Sequence, residues 1–470
     1  MIPPRLERTR SVVPFTAIAL LAGSCALLPD RSPLLPEDDV AWLTKLAADV
    51  VEASRVRAGA SAGGHGPNLT KCTLIRPGGR DDYPAFWIRD YALSVDCGLI
   101  PLNEQLPLLR LTASSQAIEP QPKLLPSGSR IPDGAVPDHV TFGGVPIFFP
   151  GTIDDDTHQG GATWGAIPPL DDAPFFVHLV HEYVLSSGDV AVLRESVKGI
   201  AIVDRLRAAV AMPPLRADGR VVHVDAGDRG INFGFDDSVT HTGDLLFASI
   251  LEFRAKFELA ELIERLGKKE QAASPTLGAR ATDEAEMLRE EAIAMRRALA
   301  DAFALESGLL RASTGMSAQP DVWGTAFGVY VHAFPPDVER RACEALARAY
   351  GDGTIAWHGA IRHVPCEADA RADSAWERAM DPINRYQNGA YWHTPSGWVA
   401  YAIAQVDRPL ATRLLKEYVD DLRAGDFRKG PEFGAPWECM HPDGDWRQNP
   451  VYMTSVTAPL AAIQRIERER

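Results

Sequence analysis

Segments in which apolar side chains return every three or four residues, separated by Gly- and Pro-rich connections, recur along this chain and restrict it to a mostly helical fold. Leu246, Ile250, Phe253, Phe257, Ala260 and Ile263 advance along one helix face, and Gly267 supplies a stop. The next segment, from about Thr282 to Phe303, repeats the pattern with Leu288, Ala292, Met295 and Leu299. Pro335-Pro336 opens another, carried by Ala342, Leu346 and Ala349 and closed by Gly351; Leu410, Leu414, Tyr418 and Leu422 line one that ends at Gly425. With the segments near 38–57, 88–99, 103–117, 171–187, 189–211, 322–331, 395–405 and 450–468, the pattern predicts roughly a dozen helices in consecutive pairs. Six hairpins closed into a ring is the packing expected of them, an all-α (α/α)6 barrel with apolar inner helices and amphipathic outer ones. A plain bundle or a solenoid is the alternative, and no fixed solenoid repeat is visible.

Residues 118–166 interrupt the pattern. They are rich in Pro and Gly and carry β-favouring runs, His139-Val-Thr-Phe142 and Val145-Pro-Ile-Phe-Phe149, so a long ordered loop with a small β excursion is expected there. At 470 residues and 46% hydrophobic, the chain has ample material for a core. Its formal net charge of −15 gives no footprint for nucleic acid and disfavours docking of the body on an anionic membrane.

The first residues read as an export signal, with Arg5, Arg8 and Arg10 ahead of the apolar run Val12 to Ala22, which is too short to span a bilayer. Ala22-Gly-Ser-Cys25 resembles a bacterial lipobox, which would make Cys25 a lipid anchor; ordinary secretion is the other reading. Residues 1–25 are accordingly expected to be removed or processed, 26–37 to form a linker, and 38–470 to form one domain. Cys72, Cys97, Cys343, Cys366 and Cys439 remain, an odd number without CxxC spacing, so a zinc site of that kind is not expected and at least one thiol stays free. One or two disulfides are compatible with export, with no pairing legible. The acidic run Asp154-Asp-Asp-Thr-His158 lacks EF-hand spacing and reads as a solvated loop, and no HExxH-type ligand pair occurs.

Two acidic positions about 200 residues apart stand in short stretches of aromatic, Gly and polar residues between the helical segments. They are Asp236 in Asn232-Phe-Gly-Phe-Asp-Asp-Ser238 and Glu438 in Pro436-Trp-Glu-Cys-Met-His-Pro-Asp-Gly444. A protonated carboxyl and an ionised one, facing a sugar, are what glycoside hydrolysis needs. Among 63 Asp and Glu residues most are solvated or cap helices, so their surroundings must distinguish these two.

The order of several motifs over residues 38–470 resembles the six-hairpin glycosidase superfamily, which includes glucoamylases, processing α-glucosidases, trehalases and the glucosidase half of debranching enzymes. Trp87-Ile-Arg89-Asp90-Tyr91 is similar to a Trp-x-Arg-Asp motif that grips hydroxyls of the terminal sugar. Pro168-Pro-Leu-Asp-Asp172-Ala-Pro-Phe-Phe176 is similar to a helix-opening Val-Asp-Ala element, with capping by Asp171 or Asp172 as the alternative. Asn232 to Ser238 is similar to Glu-Ser-Gly-Trp-Asp-x-Ser, which places the general acid at Asp236; Asn232 replaces the leading Glu, and the adjacent Asp237 is the rival acid. Arg385-Tyr-Gln387-Asn-Gly389-Ala-Tyr-Trp392 resembles Tyr-His-x-Gly-x-x-Trp, and the segment Trp437-Glu438 to Gly444 resembles one whose Glu is the general base.

The resemblance implies an exo-acting, inverting glycosidase without a redox cofactor or essential metal. Arg89, Asp90, Asp172, Asp237 and Gln387 would then hold the sugar, with Trp87, Trp392 and Trp437 as stacking walls. A sugar-binding protein without chemistry and a polysaccharide lyase on a similar toroid are the competing readings.

Overall fold

Twelve α-helices carry the described part of the chain. They are α1 (Glu37–Ser54), α2 (Ile88–Val95), α3 (Leu102–Ser115), α4 (Asp172–Ser187), α5 (Ile202–Ala211) and α6 (Leu246–Gln271), followed by α7 (Pro275–Phe303), α8 (Val322–Tyr330), α9 (Pro336–Gly351), α10 (Ser396–Ala404), α11 (Arg408–Ala424) and α12 (Thr454–Arg468). The computed structural model describes residues 32–80, 83–119, 121–151, 159–161, 163–271, 274–316, 318–366, 379–441, 444, 446 to 469. The apolar run Val12 to Ala22, Cys25 and the acidic run Asp154 to His158 lie outside these. Residues 33–470 form one compact unit.

Packing separates the helices into two sets. Each even-numbered helix packs on the next, from α2 through α4, α6, α8 and α10 to α12, and α12 packs on α2. The odd-numbered helices lie against these: α1 on α12, α3 on α4, α5 on α4 and α6, α7 on α6, α9 on α8 and α10, and α11 on α10. Side-chain chemistry follows position. Every residue of α8 is buried, as is all of α10 but its last residue, whereas α9 and α11 bury one face through Val338, Ala342, Leu346 and Tyr350 and through Ala411, Leu414, Tyr418 and Leu422.

Three boundaries differ from the sequence expectation. Residues 189–211 do not form one helix: a 3-10 turn at Val190–Arg194 is followed by a hairpin pairing Ser196 with Ala201 and Val197 with Ile200, and α5 starts only at Ile202. The two-residue loop Lys198-Gly199 has positive φ at both positions, the conformation that closes tight hairpins. Helix α6 does not stop at Gly267; a Cβ there would lie 2.6 Å from the Ala281 methyl of α7, so this glycine serves a close helix crossing instead. Helix α7 begins at Pro275, seven residues before Thr282, with proline in its first turn.

The Pro- and Gly-rich excursion forms small sheets. Its strand His139–Thr141 joins Ala85–Trp87 and Pro146–Ile147 in a three-stranded antiparallel sheet, with Trp87 opposite His139. Because α2 follows directly on Ala85–Trp87, the sheet fixes Arg89 and Asp90 at the start of that helix. All five described cysteines are unpaired, so no disulfide forms among them.

Candidate active site

The segment Asn232–Ser238 is a turn anchored on every side. The Phe233 ring stacks on Phe247 of α6 with centroids 3.8 Å apart, and Phe235 packs on Trp392 and Trp323. Gly234 N–H donates to Asp171 Oδ2 at 2.9 Å, at the start of α4. Gln387 closes the other side: its Nε2 donates to the Gly234 carbonyl at 3.1 Å and its Oε1 accepts from Ser238 N–H at 2.5 Å. A Cβ on Gly234 would lie 1.8 Å from Arg89 Nε, so only glycine lets the turn rest on that guanidinium.

Arg89 is a buried hub. Its Nη1 meets Asp138 Oδ1 at 2.5 Å, its Nε donates to Asp171 Oδ2 at 2.8 Å, and its Nη2 donates to Asp172 Oδ2 at 2.9 Å. The three carboxylates are fully buried and come from the excursion and from the start of α4. Burial works against the guanidinium, but the Asp138, Asp171 and Asp172 charges outweigh it and raise its pKa well above normal. The resemblance assigns Arg89 and Asp172 to sugar hydroxyls; here Arg89 is committed to carboxylates and Asp172 to Arg89. Neither Asp171 nor Asp172 caps α4 through its side chain.

The two neighbouring acids of the turn do different things. Asp236 Oδ1 accepts from Phe233 N–H at 3.0 Å and Oδ2 from Asn232 Nδ2 at 2.9 Å, while Asn232 Oδ1 accepts from Ala248 N–H in α6. Asp236 therefore ties its own turn to α6, with His241 Nε2 3.4 Å away. Burial raises its pKa well above normal, and its largest charge interactions are with Asp321 and Asp171. Asp237 is half-buried, takes a hydrogen bond from Gln387, and is pushed to about 7, burial being the largest cause.

Glu438 is held by two hydrogen-bond donors. It sits on the strand Trp437–Met440, which pairs with Arg447–Pro450 and so brings Asn449 beside it. Tyr83 O–H donates to Glu438 Oε1 at 2.9 Å, and Asn449 Nδ2 donates to Oε2 and to Tyr83 Oη, the latter at 3.0 Å. Burial pushes Glu438 to about 8; the Tyr83 and Asn449 hydrogen bonds oppose that shift, and the charges of Asp90 and Asp237 add to it. Asp90 accepts from Tyr452 O–H at 2.6 Å and rises to about 7, again chiefly through burial. Tyr386 feels Glu438, Asp237 and Tyr83, and Tyr452 feels Asp90, Glu438 and Tyr386. Asp90, Asp237 and Glu438 thus share one aromatic setting drawn from four distant parts of the chain.

Of the expected stacking walls, Trp392 is fully buried behind the turn, donating from Nε1 to the Tyr386 carbonyl. Trp87 is half-buried and stacks on His139 at 4.4 Å; Trp437 is half-buried with Arg447 over its ring. Sequence reasoning missed Tyr83, Asp138, Tyr386, Asn449 and Tyr452. None carries a periodicity signal, and Asn449 reaches the site only because the strands fold back on each other.

No protein-family model matches the chain, and no curated protein matches it in sequence. In structure it is similar to a rhamnosidase from Klebsiella oxytoca solved with rhamnose bound, with a TM-score of 0.50 at 14% identity over 92% of this chain. It spans 64% of that longer chain. A GH63 mannosylglycerate hydrolase from Thermus thermophilus, solved in complex with Tris, gives a TM-score of 0.49 at 14% identity, covering 90% of this chain and 100% of the other. A wild-type glycosidase gives 0.47 at 13% identity, covering 92% and 98%. At these identities the likeness is one of fold, and it carries no substrate across.

Proposed function

We propose that this chain is an exported glycoside hydrolase on an (α/α)6 barrel, exo-acting and inverting, with Asp237 as general acid and Glu438 as general base. The observation that carries the reading is that these two carboxyls, from segments about 200 residues apart, are both buried enough to be raised to about 7 and 8 and both act on the charge of Tyr386. Asp236 matches the acid of the resembled motif by position, but both of its oxygens are engaged within its own turn, and the role passes to its neighbour.

In this mechanism burial, with a smaller contribution from their mutual repulsion, disfavours ionisation of both carboxyls at once, so the pair carries one proton. With Glu438 near 8 and Asp237 near 7 the reactive form, with the proton on Asp237 and Glu438 ionised, is the minor one, and the hydrogen bonds that Tyr83 and Asn449 donate to Glu438 increase its share. Asp237 then protonates the glycosidic oxygen while Glu438 removes a proton from water attacking the opposite face of the ring. Half-buried Trp87, Tyr386 and Trp437 supply apolar faces for the sugar, and Asp90 accepts from its hydroxyls.

The test is a hydrolysis screen over terminal glucosides, rhamnosides, mannosides and uronides, with the anomer of the released sugar read by NMR. Asp237→Asn and Glu438→Gln each lower the rate by about 10²–10⁴-fold with the fold intact, and the first-formed anomer is inverted. Loss of activity in Asp236→Asn with Asp237→Asn near wild type would return the acid role to Asp236. Sugar binding without turnover on any substrate would favour the binding protein. Export is tested separately: activity sediments with membranes and is released by Cys25→Ser.

A further inference from the structure

We propose that His178, His181 and Glu182 form a site for one divalent transition-metal ion of the zinc class, at the end of the helical ring away from the candidate active site. The first residues of α2, α4 and α12 adjoin Asp90, Asp171 and Tyr452 of that site. The far ends of α2, α8 and α12 instead line a cavity of about 400 Å3 with Asp96, Tyr330, Arg465 and Glu469, and His178 and Glu182 open onto it. A second cavity of about 530 Å3, lined by His181, Glu258 and Glu261, reaches the cluster from the other side. An ion therefore has two approaches to a group that is itself largely buried.

Helix geometry supplies the donors. Residues at i, i+3 and i+4 share one face, so His178, His181 and Glu182 project together from α4. One donor atom from each lies within 4.8 Å of the others, and His181 Nδ1 is 3.1 Å from Glu182 Oε1. Tetrahedral coordination with bonds of about 2.0–2.2 Å wants donors about 3.3–3.6 Å apart, so donors that lie within 4.8 Å of one another need to close by no more than about 1–1.5 Å. Imidazole nitrogen with a carboxylate is a donor set suited to zinc, cobalt or nickel rather than calcium or magnesium.

The neighbouring helices supply the carboxylates that orient such ligands. His178 Nδ1 meets Glu258 Oε1 at 2.7 Å and its Nε2 meets Asp96 Oδ1 at 2.8 Å; His181 Nε2 meets Glu261 Oε2 at 3.1 Å. When one nitrogen of each ring turns to a metal, the other keeps a carboxylate partner, the arrangement that fixes ring orientation and basicity around bound metals. The competing arrangement is a metal-free ion network, since Arg254 lies 3.7 Å from Glu258 and Arg265 lies 2.6 Å from Glu261.

The experiment uses the full chain without a histidine tag, freed of metal by chelator and titrated with Co2+ and with Zn2+. One Co2+ per chain is expected to bind with the visible absorption of a tetrahedral centre, to be displaced by Zn2+, and to raise the melting temperature. His181→Gln and the milder Glu182→Gln each lower affinity at least tenfold, and Glu261→Gln lowers it less. No binding to the folded wild type, or equal binding to both ligand variants when each is shown folded by circular dichroism, overturns the proposal and leaves the ion network. The readout is independent of hydrolysis and stands apart from the proposed activity.

Discussion

At the scale of single residues, neighbours in sequence take separate roles because their side chains meet different partners. Asp236 and Asp237 are adjacent, yet one binds its own turn and the other acts on Glu438. Glu438 depends in turn on its two donors. Tyr83→Phe removes one hydrogen bond to its ionised form, which raises its pKa, so the alkaline limb of the kcat/KM profile moves up by about 1 pH unit and the maximum falls. An unmoved limb would separate Tyr83 from the titration of the base. For Arg89 the motif and the structure suggest different roles: Trp-x-Arg-Asp resembles a sugar grip, while three buried carboxylates surround the guanidinium. Arg89→Ala strands those charges and lowers unfolding stability by about 3–5 kcal/mol, and Arg89→Lys fails to restore it because one ammonium cannot reach all three. Urea denaturation decides this; an unchanged midpoint with only KM altered would hand Arg89 back to the sugar.

At the scale of elements, helix existence follows apolar periodicity, and helix ends follow local chemistry that the surroundings can override. Gly425 does close α11, as the sequence reading expects, but Gly267 lies inside α6 because α7 crosses it there. Gly267→Ala is therefore opposed by packing. Alanine gains about 1 kcal/mol in helix propensity, while its methyl meets that of Ala281 at 2.6 Å, and overpacking costs about 1–3 kcal/mol. A lower melting temperature is expected by calorimetry; a higher one would show that the crossing relaxes freely. The Lys198-Gly199 hairpin escapes the sequence reading for a related reason, since two-residue strands carry too little pattern to compete with the helical period around them.

At the scale of the molecule, buried carboxyls give the fold a pH optimum on the acid side of neutrality. Burial raises Asp90, Asp237, Glu252 and Asp321 to about 7 and Glu438 to about 8. Raised carboxyls bind protons in the folded state that the unfolded chain has released, so their contribution is complete below about pH 4 and lost as pH rises through 7–8. In the metal-free chain Glu258 runs the other way: lowered to about 2 by the His178 and Arg254 charges although its burial opposes this, it stabilises the fold above about pH 4.5 and loses that as pH falls towards 2. The melting temperature should therefore be highest near pH 4 and fall as pH rises to 8, with a smaller fall in Glu252→Gln. A rise between pH 4 and pH 8 would contradict this. The sequence by itself determined the helical class, the number and approximate places of the helices, the β excursion and the two regions that carry the candidate acid and base. Those are consequences of local periodicity and turn chemistry. Tertiary structure decided that both oxygens of Asp236 serve its own turn while the charge of Asp237 reaches Glu438, that Arg89, Gln387 and Trp392 support the turn from behind, and that Tyr83 and Asn449 come to Glu438 and Tyr452 to Asp90. These depend on which distant segments face one another once the helices pack, and no spacing along the chain encodes that.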